Sequence, residues 1–347
     1  MARLRRSDPS SPGIRRRRRG KGFSYHWPNG SRVTDSEILA RIRAIVIPPA
    51  WTDVWITPWA NGHIQAMGTD ARGRRQYRYH DAWRLRRDAE KFEHMVEFAA
   101  ALGPLRRIVA GHLAGTGLGR DRVLACAVRL LDLGFFRIGT EGYVEDNNTF
   151  GLATMRRRHA RIEGRVVTFD YPSKSGKQRL QSVVDDDVAA VVRSLKARRG
   201  GGRELLAYDD GDGWVDVRST DINDYLKVHT DAAITAKDFR TWHATVLCAV
   251  GLACAPPVAS ATAGRRAVTA AIKDVAHYLG NTPAVCRSSY IDPRVIDRYL
   301  GGTTIQDALV RVGTAEPSVL GEHDRDTVEQ AVLALLTENA ADLAEAA

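Results

Sequence analysis

Two Asn-Gly pairs, Asn29-Gly30 and Asn61-Gly62, each sit between short runs of aromatic and β-branched residues. Asn-Gly is the strongest short-range hairpin signal, because a type I′ turn needs positive φ at both central positions. Phe23–Trp27 and Arg32-Val33 flank the first pair, and Trp51–Trp59 and His63–Met67 the second. A third run, Gln76–His80, follows the loop Asp70–Arg75. Between the two hairpins, Asp35 or Ser36 is placed to cap a short helix through Ile45, stopped before Pro48-Pro49. The first ninety residues therefore read as a small antiparallel sheet bearing basic and aromatic side chains.

Beyond about residue 90 the period changes. Leu124, Val128, Leu131 and Phe135 recur at helical spacing, with Gly134 as a breaker or cap. Gly115–Gly119 follows no convincing strand and reads as a connection into that helix rather than a phosphate-binding loop. Thr149–Met155 and Val166–Val184 read as strands, the second turning over at Ser173–Lys177. Leu205–Tyr208 and Trp214–Val217 flank Asp209–Gly213, a turn without the alternation and terminal Glu of a calcium loop. Thr235-Ala-Lys-Asp238 has capping-box form and opens a helix through about Cys254. Val268, Ile272, Val275 and Leu279 mark another helix, closed by Gly280, and Thr282-Pro283 restarts one with Pro at its first position. The fold class is α+β: an N-terminal antiparallel β domain, residues 1–90, and a larger, mainly helical domain, residues 91–347, with a small sheet.

Hydrophobic residues make up 44% and charged residues 27%, enough to bury a core. No secretory h-region follows the N-terminal arginines, and the longest apolar stretch, Ala244–Val258, is broken at Pro256-Pro257. Cys126, Cys248, Cys254 and Cys286 form no CxxC pair and read as small buried hydrophobes in a reducing compartment. The expected location is the cytoplasm. The net charge of +10 is unevenly placed. Residues 1–90 hold 19 Lys+Arg against 8 Asp+Glu, while residues 304–347 hold nine acids against two arginines. A concentrated basic region suggests a polyanion such as nucleic acid, through counterion release. Arg15–Arg19 taken alone fits a solubilising arm equally well.

No P-loop, HExxH, GxSxG or paired-carboxylate motif occurs, which points to chemistry without nucleotide or bound metal. Metal-free cleavage of a DNA phosphodiester needs a protein nucleophile, donors for the charged phosphorane, and an acid for the leaving oxygen. Arginine suits the donors because its planar fork is bidentate to phosphate. Lysine or histidine suits the acid, and tyrosine or serine the nucleophile. Arg137, Lys174, Arg240 and Tyr290 all lie at element boundaries. Each also has an ordinary structural reading. Arg240 is the anomaly, since a cation just inside a helix N-terminus opposes the dipole and needs a carboxylate partner or an anion.

Their local strings carry more weight together. Phe-Phe-Arg137-Ile-Gly, Tyr-Pro-Ser-Lys174-Ser-Gly-Lys, Thr-Ala-Lys237-Asp-Phe-Arg240-Thr-Trp and Leu-Gly-Asn281-Thr-Pro…Ser-Tyr290-Ile-Asp resemble the poxvirus-type, bacterial type IB DNA topoisomerases in order and spacing. Pro-Pro-Ala-Trp51, Gly-His63-Ile-Gln65 and Gly73-Arg-Arg-Gln76-Tyr77-Arg-Tyr79-His extend the resemblance to the N-terminal region. The resemblance implies Tyr290 as nucleophile, Arg137 and Arg240 on the nonbridging oxygens, and Lys174 as the acid for the 5′-oxygen. It implies that Lys237 contacts phosphate and that Gln76, Tyr77 and Tyr79 face the duplex. It further implies ATP-independent relaxation with no cofactor, and a two-domain clamp able to enclose duplex DNA as a monomer associated with the nucleoid. Asn281 stands where many members carry His, so this position can donate a hydrogen bond but cannot titrate. Ser173 stands where a glycine is often found.

Two rivals remain at this point. Tyrosine recombinases usually carry His three residues before the second arginine, where this chain has Lys237, and their N-terminal domain is helical. A non-enzymatic architectural DNA-binding protein needs the basic patches but not Tyr290.

Overall fold

A computed structural model describes residues 3–140, 148–230, 233–313 and 322–338. The chain divides into two compact units, Met1–Lys91 and Phe92–Ala347. No helix among the described residues is long and apolar enough to cross a membrane.

In the first unit, β1 (Ile14–Arg19), β2 (Gly22–His26), β3 (Thr52–Ile56), β4 (Ile64–Thr69) and β5 (Arg75–Tyr79) form one antiparallel sheet in the order β2-β1-β3-β4-β5. Helix α1 (Ser36–Ala44) is capped by Asp35, whose carboxylate accepts from Glu37 N and Ile38 N at 2.8 and 3.0 Å. Ile42 from α1 joins Ile14, Val54, Ile56 and Ala66 in a small core. The Asn61-Gly62 connection falls between β3 and β4 as the sequence suggests. A Cβ at Gly62 would lie 2.5 Å from Ser7 Oγ, so only glycine fits there. Around Asn29-Gly30 the pairing is slighter. Gly30 adopts φ +86° and Val33 N bonds Tyr25 O, but the return arm forms only an isolated bridge, His26 to Arg32.

The arginine run is a strand. Its register with β2 pairs Arg15 with His26 and Arg19 with Gly22. Arg16 turns inward, stacks 4.1 Å over Phe23, and donates to the Pro48 and Trp51 carbonyls at 3.1 and 2.6 Å. Burial lowers its pKa.

The helical pattern begins earlier than residue 90. Helix α2 runs Asp81–Leu113, followed by α3 (Arg120–Leu133), α4 (Asp186–Ala197), α5 (Ser219–His229), α6 (Ala236–Ala253), α7 (Ala261–Leu279), α8 (Pro283–Ser289), α9 (Pro293–Leu300), α10 (Gln306–Val312) and α11 (Glu322–Thr337). With the strands these give a mixed α+β fold. Strands β6 (Ala160–Glu163), β7 (Val166–Pro172) and β8 (Gln178–Val184) make a three-stranded antiparallel sheet, and β9 (Ala207–Asp209) pairs with β10 (Trp214–Asp216). Helix α6 is buried along most of its length, with Phe239 and Trp242 in the core. Asp238 accepts from Thr235 N and Oγ1 at 2.8 and 2.9 Å, which closes the predicted capping box.

Thr149–Met155 is not a strand. Its centre is a 3₁₀ turn, Leu152–Thr154, whose amides serve the segment after α3: Leu152 N bonds Arg137 O at 2.8 Å and Ala153 N bonds Ile138 O at 2.7 Å. The two backbones abut at glycines. A Cβ on Gly151 would sit 2.4 Å from Gly139 Cα and 2.7 Å from Arg137 O. Cys126, Cys248 and Cys286 are buried as expected, whereas Cys254, past the last turn of α6, is exposed.

The acidic stretch contains two helices. Val328, Val332, Leu335 and Leu336 of α11 enter the core of the second unit. Below them Arg106 donates to Asp132 at 2.9 and 3.0 Å, to Glu329 at 2.8 and 3.0 Å and to Asp326 at 2.6 Å, and Arg325 donates to Asp132 at 2.6 Å. Burial alone would raise the Asp132 carboxyl, but Arg325 and Arg106 hold it far below the usual range. The sequence from 339 onward lies outside the described residues.

Two substitutions test this packing. Gly151→Ala meets backbone that cannot step aside and should cost about 1–3 kcal/mol, read as a fall of several degrees in thermal midpoint. Arg106→Ala removes the hydrogen-bonded partner of buried Glu329 and one of the cations on Asp132, and should cost about 3–5 kcal/mol by denaturant unfolding.

Candidate active site

The C-terminus of α7 is the platform of the site. Gly280 takes the left-handed conformation at φ +62° and caps the helix through Ala276 O and His277 O. Three guanidinium groups gather on the carbonyls at and just beyond that end. Arg240, on the first turns of α6, donates to Leu279 O at 2.9 Å and also to Phe135 O. Arg137 donates to Gly280 O at 3.0 Å and to Asn281 Oδ1. Arg179 of β8 donates to His277 O at 3.3 Å and to Tyr278 O. Orphaned carbonyls and the negative end of the helix dipole make this a favourable place for positive charge.

This arrangement resolves the Arg240 anomaly. Its side chain is 4% exposed, and among the described residues no carboxylate pairs with it. Burial first and the neighbouring Arg137 second bring its pKa down to about 10, so the group remains a cation at neutral pH. Two backbone carbonyls hold it, while its Nε has no hydrogen-bond partner.

Tyr290 follows α8, whose first turn is Pro283 with Thr282 as cap. Its ring lies 5.4 Å from the Arg240 guanidinium. The backbone around it is pinned: the amides of Tyr290 and Ile291 both bond Cys286 O at 3.0 Å. The fully buried Thr245 hydroxyl lies 3.3 Å from Tyr290 O and accepts from Asp292 N at 3.2 Å.

Lys174 stands at the tip of the β7–β8 hairpin in a short 3₁₀ turn, Lys174–Gly176. Ser173 N bonds Lys177 O at 2.8 Å and Gly176 takes φ +72°, so the turn closes with serine at position 173. Arg179, five residues after Lys174 at the start of β8, ties that arm of the hairpin to α7. Lys237 is exposed on the first turn of α6.

Arg137, Lys174, Lys237, Arg240 and Tyr290 share one open cleft of about 470 Å³, completed by small and apolar residues such as Thr149 and Phe150. Its lining holds four cations and one phenol, and no acid among the described residues. Asn281 stands behind Arg137 and fixes it, with its own Nδ2 buried and unpartnered.

Gln76, Tyr77 and Tyr79 belong to the first unit, on the edge strand β5. Tyr77 and Tyr79 are 40% and 42% exposed and stack on each other with centroids 6.0 Å apart, so neither packs into the sheet core. Gln76, on the opposite side of the strand, donates to Asp70 at 2.9 Å.

Sequence reasoning passed over Arg179 and Thr245. Only the contacts mark them, because nothing in their local strings separates them from any strand arginine or helix threonine.

Residues 80–306 match the family model described as the catalytic core of eukaryotic DNA topoisomerase I, and residues 22–70 match that of the bacterial DNA topoisomerase IB N-terminal domain. A protein of Acanthamoeba polyphaga mimivirus named DNA topoisomerase 1B is 27% identical over 294 residues, covering 83% of this chain and 87% of the relative. Proteins named DNA topoisomerase I from Monkeypox virus and DNA topoisomerase 1B from Vaccinia virus are each 20% identical over 266 residues, or 75% of this chain and 81% of the relative. The catalytic-core match spans well over half of the chain and contains every residue of the cleft. The chain belongs to the type IB DNA topoisomerase family.

Proposed function

We propose that this chain relaxes supercoiled duplex DNA by cutting and resealing one strand, with the cleft of Arg137, Lys174, Lys237, Arg240 and Tyr290 as its active site. The observation that carries the assignment of residues is the composition of that cleft: one phenol among four cations, built on a helix end that holds the arginines rigidly. In this reading the Tyr290 oxygen attacks the scissile phosphorus and the bond to the 5′-oxygen breaks. A 3′-phosphotyrosyl link and a free 5′-hydroxyl result. Arg137 and Arg240 donate to the nonbridging oxygens and stabilise the charge that develops there, a preorganised electrostatic effect. Lys174 gives its proton to the departing 5′-oxygen. The new phosphodiester keeps the energy of the old one, so the 5′-hydroxyl reverses the step after the strand has swivelled, without ATP.

Asn281 acts through Arg137. Its amide oxygen accepts from that guanidinium, and its unpartnered Nδ2 is a donor for a phosphate oxygen. Neither task involves a titration. Lys237 supplies a further phosphate contact at the cleft mouth. The exposed tyrosine pair on β5 meets the duplex from the first unit, and Gln76, on the other side of this edge strand and bonded to Asp70, would reach it only around the sheet edge. One copy of the chain serves one duplex, and the expected setting is chromosomal DNA in the cytoplasm.

Two experiments examine the roles. Tyr290→Phe removes one oxygen and keeps the ring against Arg240. It should bind duplex DNA as the unmodified chain does and relax no plasmid in EDTA without ATP, while the unmodified chain, denatured in mid-reaction, carries DNA on the Tyr290 peptide. DNA attached to Tyr278 or Tyr299 instead would overturn the nucleophile, and the absence of any adduct would favour an architectural protein. Lys174→Ala should slow cleavage roughly 10²–10⁴-fold. A substrate with sulfur at the 5′ bridging position leaves as a thiolate and should recover most of that loss. Equal defects on the two substrates would make Lys174 a phosphate ligand rather than an acid.

A further inference from the structure

Strand register settles which side chains of the first unit share a face. In an antiparallel sheet, directly paired residues point to the same side. Arg15 pairs with Trp55, Trp55 with Met67, and Met67 with Tyr77. Arg15 and Tyr77 therefore lie on one face, three strands apart. Alternation along β1 adds Arg17 and Arg19 to it, and alternation along β5 adds Arg75 and Tyr79. All six are exposed. The other face carries Ile14, Ile56 and Ala66 and is covered by α1, and Arg16 is consumed there.

We propose that Arg15, Arg17 and Arg19 form a row of phosphate contacts for the sugar-phosphate backbone of duplex DNA, on the same sheet face as the tyrosine pair. The proposal rests on the topoisomerase reading and extends it to a strand outside the matched residues 22–70. Three strand spacings separate the two rows by about 14 Å, and successive arginines in the row stand about 6.8 Å apart. Phosphates of one DNA strand recur every 3.4 Å along the axis, so each arginine can hold its own phosphate and the two rows address separate ones.

Three observations favour a polyanion over a protein surface. None of the cross-strand partners on this face is acidic. Its large apolar side chain, Trp55, is already covered, with its Nε1 donating to Ser11 O at 2.9 Å and Gly13 packed against the ring. Past Arg15 the strand pairs with β2 alone, and the acid nearest in register, exposed Asp53 of β3 two residues before Trp55, forms no ion pair with Arg17 or Arg19 among the described residues.

The test compares charge loss on the two faces. In the full chain, Arg15→Gln/Arg17→Gln/Arg19→Gln should lower the slope of log affinity against log salt for a short duplex by about 2.7, at roughly 0.9 per lost phosphate contact. Arg18→Gln/Lys21→Gln removes two exposed charges of the same arm, one on the opposite face and one in its turn, and should lower the slope by less than one. An unchanged slope in the triple variant, or the same loss per charge in both variants, would overturn the contact row. A second measurement needs no variant. Phenylglyoxal labelling of the unmodified chain, read by tandem mass spectrometry, should show Arg15, Arg17 and Arg19 protected by duplex and Arg18 labelled as before. Equal labelling with and without duplex would sink the proposal. Plasmid relaxation run in parallel keeps the two readings apart. An unmodified chain that shows the slope but relaxes nothing refutes the enzyme reading alone, whereas one that relaxes plasmid with no change of slope in the triple variant refutes the contact row alone.

Discussion

Three guanidinium groups share the carbonyl end of one helix, and the candidate site exists because they can. Arg137, Arg179 and Arg240 would repel one another in an apolar setting. At the end of α7 each instead meets backbone oxygens whose helical partners have run out, in the negative field of the helix dipole. The residue that stops the helix, Gly280, is the same residue whose carbonyl receives Arg137. Ending a helix and collecting positive charge are here one structural event. A carboxylate would have held the arginines as well, but would have cancelled the charge that the cleft presents. Carbonyl dipoles position a cation and leave it cationic.

Burial has a second effect on this cluster. Arg240 is almost wholly enclosed and its Nε lacks a partner, so part of its hydrogen-bonding capacity is unsatisfied. A buried donor without a partner costs free energy, of the order of 1–3 kcal/mol. The helix on which Arg240 sits offers no escape, since its capping box, its buried Phe239 and Trp242, and Thr245 beneath Tyr290 fix the same stretch of backbone. The phenol and the cation beside it are thus set by one helix from two directions, Arg240 directly and Tyr290 through Thr245.

Much of this was legible in the residues. The Thr235–Asp238 box, Gly280 and Thr282-Pro283 are local signals whose physics is complete within a few residues, and each appears where it was read, whereas Asn61-Gly62 connects β3 to β4 without the positive φ of a type I′ turn. The Arg240 anomaly was also legible as a violation of the dipole rule, although its resolution through carbonyls was not. What failed were judgements that depend on distant partners. Thr149–Met155 has strand composition, yet its amides are spent on the Arg137 and Ile138 carbonyls, and two glycines bring those backbones together. Arg15–Arg19 has no apolar alternation and was open between a polyanion contact and a solubilising arm, yet pairing with β2 makes it a strand. The acidic stretch after residue 304 yielded only a charge count, because its partner Arg106 lies 223 residues before Glu329. Arg179 and Thr245 left no trace in the sequence, since a contact across the core has no local signature.

The ionic network under α11 imposes an order in time. Asp132 needs Arg325, 193 residues later in the chain. A ribosome adding about 5–20 residues per second takes on the order of 10–40 s to cover that distance. Through that interval Arg106 and Asp132 have each other but neither Glu329 nor Arg325, and Val328, Val332, Leu335 and Leu336 have not yet joined the core. The core of the second unit, on which the cleft is built, is therefore complete only once α11 has been made, although its main ion pair, Arg106 with Asp132, is available long before.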